Sequence, residues 1–204
     1  MNQNTRDPYR IIGTSSYDRY LDIFLRMWPD VKKAVPQATF HAFYGWQLFD
    51  VFYRNNPERM SWKNKVVELL KQEGVIEHGR VPQHVIKEEM LKSGIWAFPT
   101  WFGEINCISL QKATAYGCVP VTVNYAALKE RALFGKIINV YDDKGNQIRD
   151  IYDPEVQEEF KKALIEALTN HKWQEEVRIP MMKYSLENFT WEKTAEGWTY
   201  EFKN

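Results

Sequence analysis

Apolar positions along the chain recur in two alternating rhythms, short continuous runs and spaced helical faces. Residues 10–16, "RIIGTSS", form a short apolar run that ends in small polar residues, the pattern of a buried strand. In residues 18–35, "DRYLDIFLRMWPDVKKAV", Leu21, Phe24, Leu25, Trp28 and Val31 share one face at helical spacing. Pro29 lies inside that face, so a kink or break is predicted near Trp28. "ATFHAFYGW" (38–46) is the second strand and Gly45 ends it. A mostly polar stretch leads to "SWKNKVVELLKQEG" (61–74), a helix with Ser61 as N-cap and Gly74 as stop. "VIEHGR" (75–80) is a third strand, and "PQHVIKEEMLKSG" (82–94) a helix opened by Pro82 and closed by Gly94. "IWAFPTW" (95–101) is the fourth strand, followed by a helix over 106–116 that stops at Gly117, and by the strand "VPVTVN" (119–124).

Strand and helix alternating over short connections predict an α/β fold, a parallel sheet with helices on both faces. Ligands in such sheets bind beyond the carboxyl ends of the strands. Four strand ends are therefore expected to rim one crevice: residues 13–16, 44–46, 78–80 and 100–104.

After Tyr125 the rhythm loosens. "KIINVYDDKGNQIRDIYD" (136–153) suggests two strand pieces around the turn "DDKGN". Asp153 then caps a helix with Pro154 at its first position and Val156, Phe160, Leu164 and Leu168 on its buried face. Residues 188–204 form a closing helix carrying Trp191, Trp198 and Phe202, and residues 1–9 a flexible N-terminal segment. No repeat or low-complexity linker divides the 204 residues, so one domain over 1–204 is expected.

Composition narrows the choice of function. Lys plus Arg equals Asp plus Glu, 27 against 27, so no global field draws in nucleic acid or an anionic membrane, and no nucleic-acid partner is expected. Two cysteines, Cys107 and Cys118, do not make a disulfide scaffold. With a polar N-terminus unlike a signal peptide, they point to a reducing, cytoplasmic setting. No apolar run approaches the ~20 residues of a membrane span, so any work on lipid is expected as peripheral contact.

Familiar catalytic motifs are absent. There is no H-E-x-x-H, C-x-x-C, Walker loop or G-x-S-x-G, and His41, His78, His84 and His171 show no metal spacing, so no metal is expected. Asp142–Asp143 reads either as a metal site for a sugar nucleotide or as the acidic corner of a turn, and the turn is the simpler reading.

Two stretches carry candidate chemistry. "GTSSYDR" (13–19) can cradle a phosphate: Gly13 admits the backbone, Ser15 and Ser16 donate, and Arg19 adds a charge-assisted bond. It is equally a strand-to-helix turn in which Ser16 or Asp18 caps the helix. Glu104 sits between a strand end and a helix start, where burying a carboxylate is costly without a partner. It reads as a dipole-favoured carboxylate or as an acceptor for sugar hydroxyls. Lys112, roughly 12 Å further along the helix axis, is a solvated lysine or a cation near a diphosphate.

"EINCISLQKATAYGCVPVTVNYAALKE" (104–130) resembles the donor-binding segment of GT-B fold retaining glycosyltransferases of family 4, whose pattern is Glu, seven intervening residues, Glu, then small residues, Gly and a strand. "RIIGTSSYDRYLDIFLRMWPDVKKAVPQATFHAFYGW" (10–46) resembles the segment opening that family's C-terminal half. "VIEHGRVPQHVIKEEMLKSGIWAFPT" (75–100) resembles its nucleotide-reading segment, and "FTWEKTAEGWTYEF" (189–202) its closing helix. The resemblance covers nearly the whole chain and only the donor-binding half of the full fold.

It implies a Rossmann-like, nucleotide-sugar-binding domain working in metal-independent hexosyl transfer with retention, with no cofactor besides the nucleotide-diphosphate sugar. Polysaccharide assembly is that family's usual setting. The acceptor domain would lie on a separate chain or subunit. Arg19, with the backbone near Gly13, Ser15 and Ser16, would stabilise the leaving diphosphate. Glu104 would orient the donor sugar, helped by the backbone of Ile105, Asn106 and Cys107, and Gly79 and Arg80 would lie near the base. Two positions depart from the family pattern. Lys112 replaces the second Glu, and an ammonium cannot accept ribose hydroxyl bonds. Tyr20 follows Arg19 where the family has glycine. Lys112 favours an alternative, a non-catalytic nucleotide-sugar-binding module or degenerate remnant. A different Rossmann-like enzyme, such as a sugar-nucleotide epimerase, ranks last, since no G-x-G-x-x-G is present.

Overall fold

In the computed structural model, residues 6–203 are described. Six strands, β1 (Asp7–Gly13), β2 (Thr39–Phe43), β3 (Val75–Gly79), β4 (Ser93–Phe98), β5 (Val119–Val123) and β6 (Lys136–Ile138), form one sheet in the order β3-β2-β1-β4-β5-β6. Every pair is parallel. This is the doubly wound, Rossmann-like α/β order, with its switch point between β1 and β4. β4 and β5 are buried along their whole lengths, as expected of strands covered on both faces. Helices α1 (Leu21–Ala34), α2 (Gln47–Tyr53), α3 (Pro57–Leu69), α4 (Gln83–Lys92), α5 (Ile108–Ala115), α6 (Leu128–Arg131), α7 (Pro154–Thr169), α8 (His171–Asn188) and α9 (Trp191–Lys203) complete the chain. α1 packs on α3 and α7 over one face, and α5 packs on α8 over the other.

The apolar face expected of α1 is buried, and the helix runs through Pro29 unbroken. Proline has no N–H for the carbonyl of Leu25, four residues back. The side-chain amide of Gln72 donates to that carbonyl at 2.9 Å, restoring the lost bond from outside the helix.

Several boundaries differ from the expected ones. α3 starts at Pro57, and Asn56, not Ser61, caps it, accepting from the Arg59 N–H at 3.0 Å. α4 ends at Lys92, and Gly94 belongs to β4. A Cβ at Gly94 would lie 2.8 Å from the Pro8 Cα, so this glycine admits the neighbouring strand rather than stopping a helix. Of the two strand pieces after Tyr125, the first is β6; the second is reduced to the bridge Tyr141–Gln147. Asp142 accepts from the backbone of Lys144 and Asn146, so its carboxylate closes that turn.

The N-terminal segment expected to be flexible over 1–9 enters β1 at Asp7, and Arg6 donates to the carbonyls of Met90 and Tyr116. Residues 1–5 lie outside the described residues. α8 had no sequence signal, because its buried positions include Gln174, Arg178 and Ser185. Each makes a specific bond instead of an apolar contact: Gln174 to the Pro8 carbonyl, Arg178 to the Gly117 carbonyl, Ser185 to Thr114. The closing helix forms as α9, with Trp191, Trp198 and Phe202 exposed. Among the described residues no helix is long and apolar enough to cross a membrane.

Candidate functional site

The crevice lies where the topology puts it, beyond the carboxyl ends of β1 and β4. The chain leaving β1 passes through Thr14, Ser15 and Ser16 into a short 3-10 turn, Tyr17–Arg19. The chain leaving β4 passes through Thr100 to Glu104 before α5. The Thr100 hydroxyl donates to the Arg19 carbonyl at 3.1 Å and ties the two loops.

Arg19 and Glu104 meet across this crevice. The guanidinium donates to Glu104 Oε1 at 2.7 Å and lies over the Phe102 ring, 3.9 Å from its centroid. The partner that Glu104 requires is thus Arg19. Glu104 is the more enclosed, its side chain 12% exposed against 32% for Arg19. About 470 Å³ of space opens beside the pair, lined also by Ser15, Ser16, Ile105 and the start of α5.

α5 begins at Ile108, after Cys107 in a left-handed conformation (φ 49°), and no side chain caps it. Its uncapped N-terminus lines the same space and favours an anion. The helix starts two residues later than the apolar pattern suggests, so Ile105, Asn106 and Cys107 line the space as the loop before it, together with Ile108 and Ser109 of its first turn. The Ile105 side chain is almost wholly exposed, and the Asn106 amide oxygen accepts from Gln111. Burial pushes the Cys107 thiol up to about 11, which keeps it protonated and removes it as a nucleophile.

The loop after β1 is held by its own serines. Ser15 pairs with Ser109 at 3.1 Å, and Ser16 donates to Asp18 at 2.7 Å, so Ser16 does not cap a helix. Gly13 is required by packing: a Cβ there would collide with the Tyr20 hydroxyl. Tyr20 is fully buried beneath β1 and packs edge-on to Phe98, so the residue after Arg19 turns into the core and away from the crevice.

A second recess of about 230 Å³ adjoins the first across Thr14, Tyr44, Ile108 and Ser109. Its floor is apolar, with Phe43, Ile86 and Met90, and its rim carries Arg80 and Lys112. Lys112 donates to Gln83 Oε1 at 2.7 Å. Gly79, expected beside Arg80 at the base, lines a different hollow with Trp46 and Asp50. Trp46 packs against Tyr17, Phe49 and Trp62 instead of rimming the crevice.

Ser109 and Gln83 lie outside the strand ends expected to rim the crevice, whereas Thr14, Tyr44 and Phe102 fall within them but carried no individual role. Tyr44 joins the two recesses and holds a positive φ of 144°, which a non-glycine residue rarely adopts. No sequence signal marks it beyond its place at a strand end.

The fold also assembles His41, His78 and Glu89 within 4.8 Å, a group that linear spacing did not reveal. His41 Nδ1 and His78 Nε2 are 2.9 Å apart. Burial, with Arg10 and His78 nearby, pulls His41 down to about 4, so both rings suit the neutral state. Glu89 accepts from Arg10 through one oxygen and from Lys92 through the other. A further cation would be repelled by both, and the cluster is read as a structural tie between β2, β3 and α4.

No protein-family model matches the chain, and no curated protein matches it. Solved structures do match in fold. A GtfA/B complex superposes with a TM-score of 0.68 at 14% identity, covering 98% of this chain and 36% of that one. The pneumococcal O-GlcNAc transferase GtfA in complex with UDP and GlcNAc gives 0.65 at 13% identity, over 97% of this chain and 36% of that one. The catalytic domain of the Helicobacter pylori cholesterol-alpha-glucosyltransferase gives 0.57 at 16% identity, over 90% of this chain and 99% of that one. The fold is that of a GT-B glycosyltransferase half, and the chain spans about a third of the length of the GtfA structures it matches.

Proposed function

We propose that the chain is the donor-binding half of a retaining glycosyltransferase and holds a nucleotide-diphosphate sugar for transfer to an acceptor presented by a separate domain or subunit. The observation that carries this reading is the Arg19–Glu104 pair facing the uncapped start of α5 at the switch point of the sheet. A cation and a helix N-terminus converging on one space suit a diphosphate. An enclosed carboxylate beside them suits the hydroxyls of the attached sugar.

The base would lie on the apolar floor of the adjoining recess, near Tyr44. Arg80 and Lys112 would donate to phosphate or ribose oxygens at its rim. In transfer, the bond between the sugar's anomeric carbon and the diphosphate would break, the acceptor oxygen would bond to that carbon on the same face, and the acceptor hydroxyl's proton would pass to the departing diphosphate. Arg19 and the α5 amides would meet the charge that develops on the leaving diphosphate, so the reaction is proposed to need no metal or further cofactor. Fold neighbours that have UDP bound support the nucleotide, and the partial coverage of longer neighbours supports a partner. A cytoplasmic setting, where nucleotide sugars and free thiols coexist, fits this reading.

Calorimetric titration with UDP, GDP, ADP and their sugar conjugates tests it. One nucleotide series is expected to bind, with transfer appearing only when an acceptor domain is supplied. Silence across all three series would count against the reading. A second reading, binding without transfer, is favoured by Lys112 at the position of the family's second carboxylate. Its mark is donor binding with no turnover whatever acceptor domain is added.

A further inference from the structure

A separate cavity of about 140 Å³ opens at the same end of the sheet, beyond β4 and β5 and next to the Arg19–Glu104 crevice. Thr100 forms part of its wall and, through its bond to Arg19, part of the partition between the two spaces. Its floor is apolar, with Val140 and Ile151 each only 1% exposed. Two large rings, Trp101 and Tyr152, stand at its mouth, 39% and 54% exposed. Their centroids are 6.5 Å apart and their planes differ by 37°. Asp150 and Gln147 supply the polar groups. Asp150 uses one carboxylate oxygen for the Tyr152 N–H at 2.7 Å, leaving the other for a ligand.

We propose that this cavity is a second carbohydrate site, which takes one neutral sugar ring alongside the donor. Exposed aromatic faces match the C–H face of a pyranose, burying apolar surface without demanding charge. A carboxylate and an amide beside them match its hydroxyls, which both donate and accept. The Asp150 carboxylate opposes an anion, which separates this site from the phosphate-seeking crevice next door. The volume is below the roughly 300–1,000 Å³ of pockets for drug-sized ligands, so it suits one ring rather than a chain. The glycosyl-transfer reading enters only in the choice of sugars to try first.

The test is two-dimensional NMR of the whole chain with its tryptophan indole signals resolved, titrated with the methyl α-glycosides of glucose and of N-acetylglucosamine, and in parallel with UDP. Trp101→Phe identifies the Trp101 signal. The expected result is a saturable millimolar shift of that signal by at least one glycoside, with UDP leaving it unchanged. Trp101→Ala and Tyr152→Ala, both at exposed positions, should each weaken glycoside binding by about tenfold or more, and Asp150→Asn by about threefold to tenfold. Circular dichroism verifies that these variants stay folded. The proposal is overturned if neither glycoside shifts the signal, if the two alanine variants bind as well as the parent, or if UDP displaces the glycoside. Glycoside binding without UDP binding would sink the nucleotide reading and leave this site standing; the reverse would sink this site alone.

Discussion

Arg19 and Glu104, 85 positions apart in the chain, close on one another at 2.7 Å across the point where the sheet reverses its winding. Each solves the other's problem. Glu104 gains a cation partner in an enclosed place, and Arg19, which lies over Phe102, gains an anion. A diphosphate entering the crevice would compete with Glu104 for the guanidinium. On the proposed function the carboxylate would then be freed toward the sugar.

Lys112 is expected to act as a donor at the rim of the second recess. Lys112→Glu should weaken nucleoside-diphosphate binding by about tenfold or more, since it replaces a cation with an anion near the phosphates. Titration of the variant decides the point. Tighter binding would mean that the recess lacks a ribose-accepting carboxylate.

Gln72, whose amide also donates to the Leu69 carbonyl at 2.8 Å, should matter more because Pro29 is present. Gln72→Ala leaves the Leu25 carbonyl without its donor and is expected to cost about 1–2 kcal/mol in urea unfolding. In a Pro29→Ala background the helix supplies its own N–H, and the same substitution should cost less. Equal costs in both backgrounds would contradict this account of how α1 tolerates its proline.

Acid should loosen the tie between β2, β3 and α4. His41 is held at about 4 by burial, with Arg10 and His78 also disfavouring its charge and Glu89 favouring it. The unfolded chain binds this proton at about 6.5, so below that pH it takes up protons that the fold refuses. Stability contributed by the neutral ring is full above about 7 and falls as pH drops toward 4, by at most about 1.4 kcal/mol per pH unit. Denaturant midpoints across that range check the slope, and His41→Asn should flatten it. A slope unchanged in the variant would assign the acid response elsewhere.

Both thiols are expected to resist alkylation. Burial raises Cys107 and Cys118 to about 11, so neither forms thiolate at neutral pH. Iodoacetamide should modify the native chain slowly at pH 7 and both sites quickly in denaturant. Because the folded thiols hold protons that unfolded ones release near 9, stability should also decline as pH rises from about 9 toward 11. Rapid labelling of native Cys107 would contradict the burial argument.

The parallel sheet was legible because β1, β4 and β5 carry continuous apolar runs and short connections join strand to helix; its order and switch point were not. α1 and α7 were legible by their periodic apolar faces, with the expected residues buried. α8 was illegible for the opposite reason: its inner face is made of Gln174, Arg178 and Ser185, whose role depends on carbonyls and hydroxyls brought in by distant strands and helices. In the site, Arg19 and Glu104 stood out as charges at strand-to-helix junctions, but their pairing is a product of topology. For Gly13 nothing in the sequence hinted at a packing reason for its small size, the buried Tyr20. Tyr44, Phe102 and Trp101 fell within the expected strand ends but received no role of their own, because an aromatic residue there looks the same in sequence whether it fills the core or lines a site.

The most direct test of the central claim is calorimetric titration of the native chain, Arg19→Ala and Glu104→Gln with UDP and with UDP-sugars, extended to the GDP and ADP series if UDP is silent. The account predicts that one nucleotide series binds. Arg19→Ala should weaken every member of that series by about tenfold or more, and Glu104→Gln should weaken only the sugar conjugates. Binding indifferent to Arg19, or no binding in any series, would contradict it.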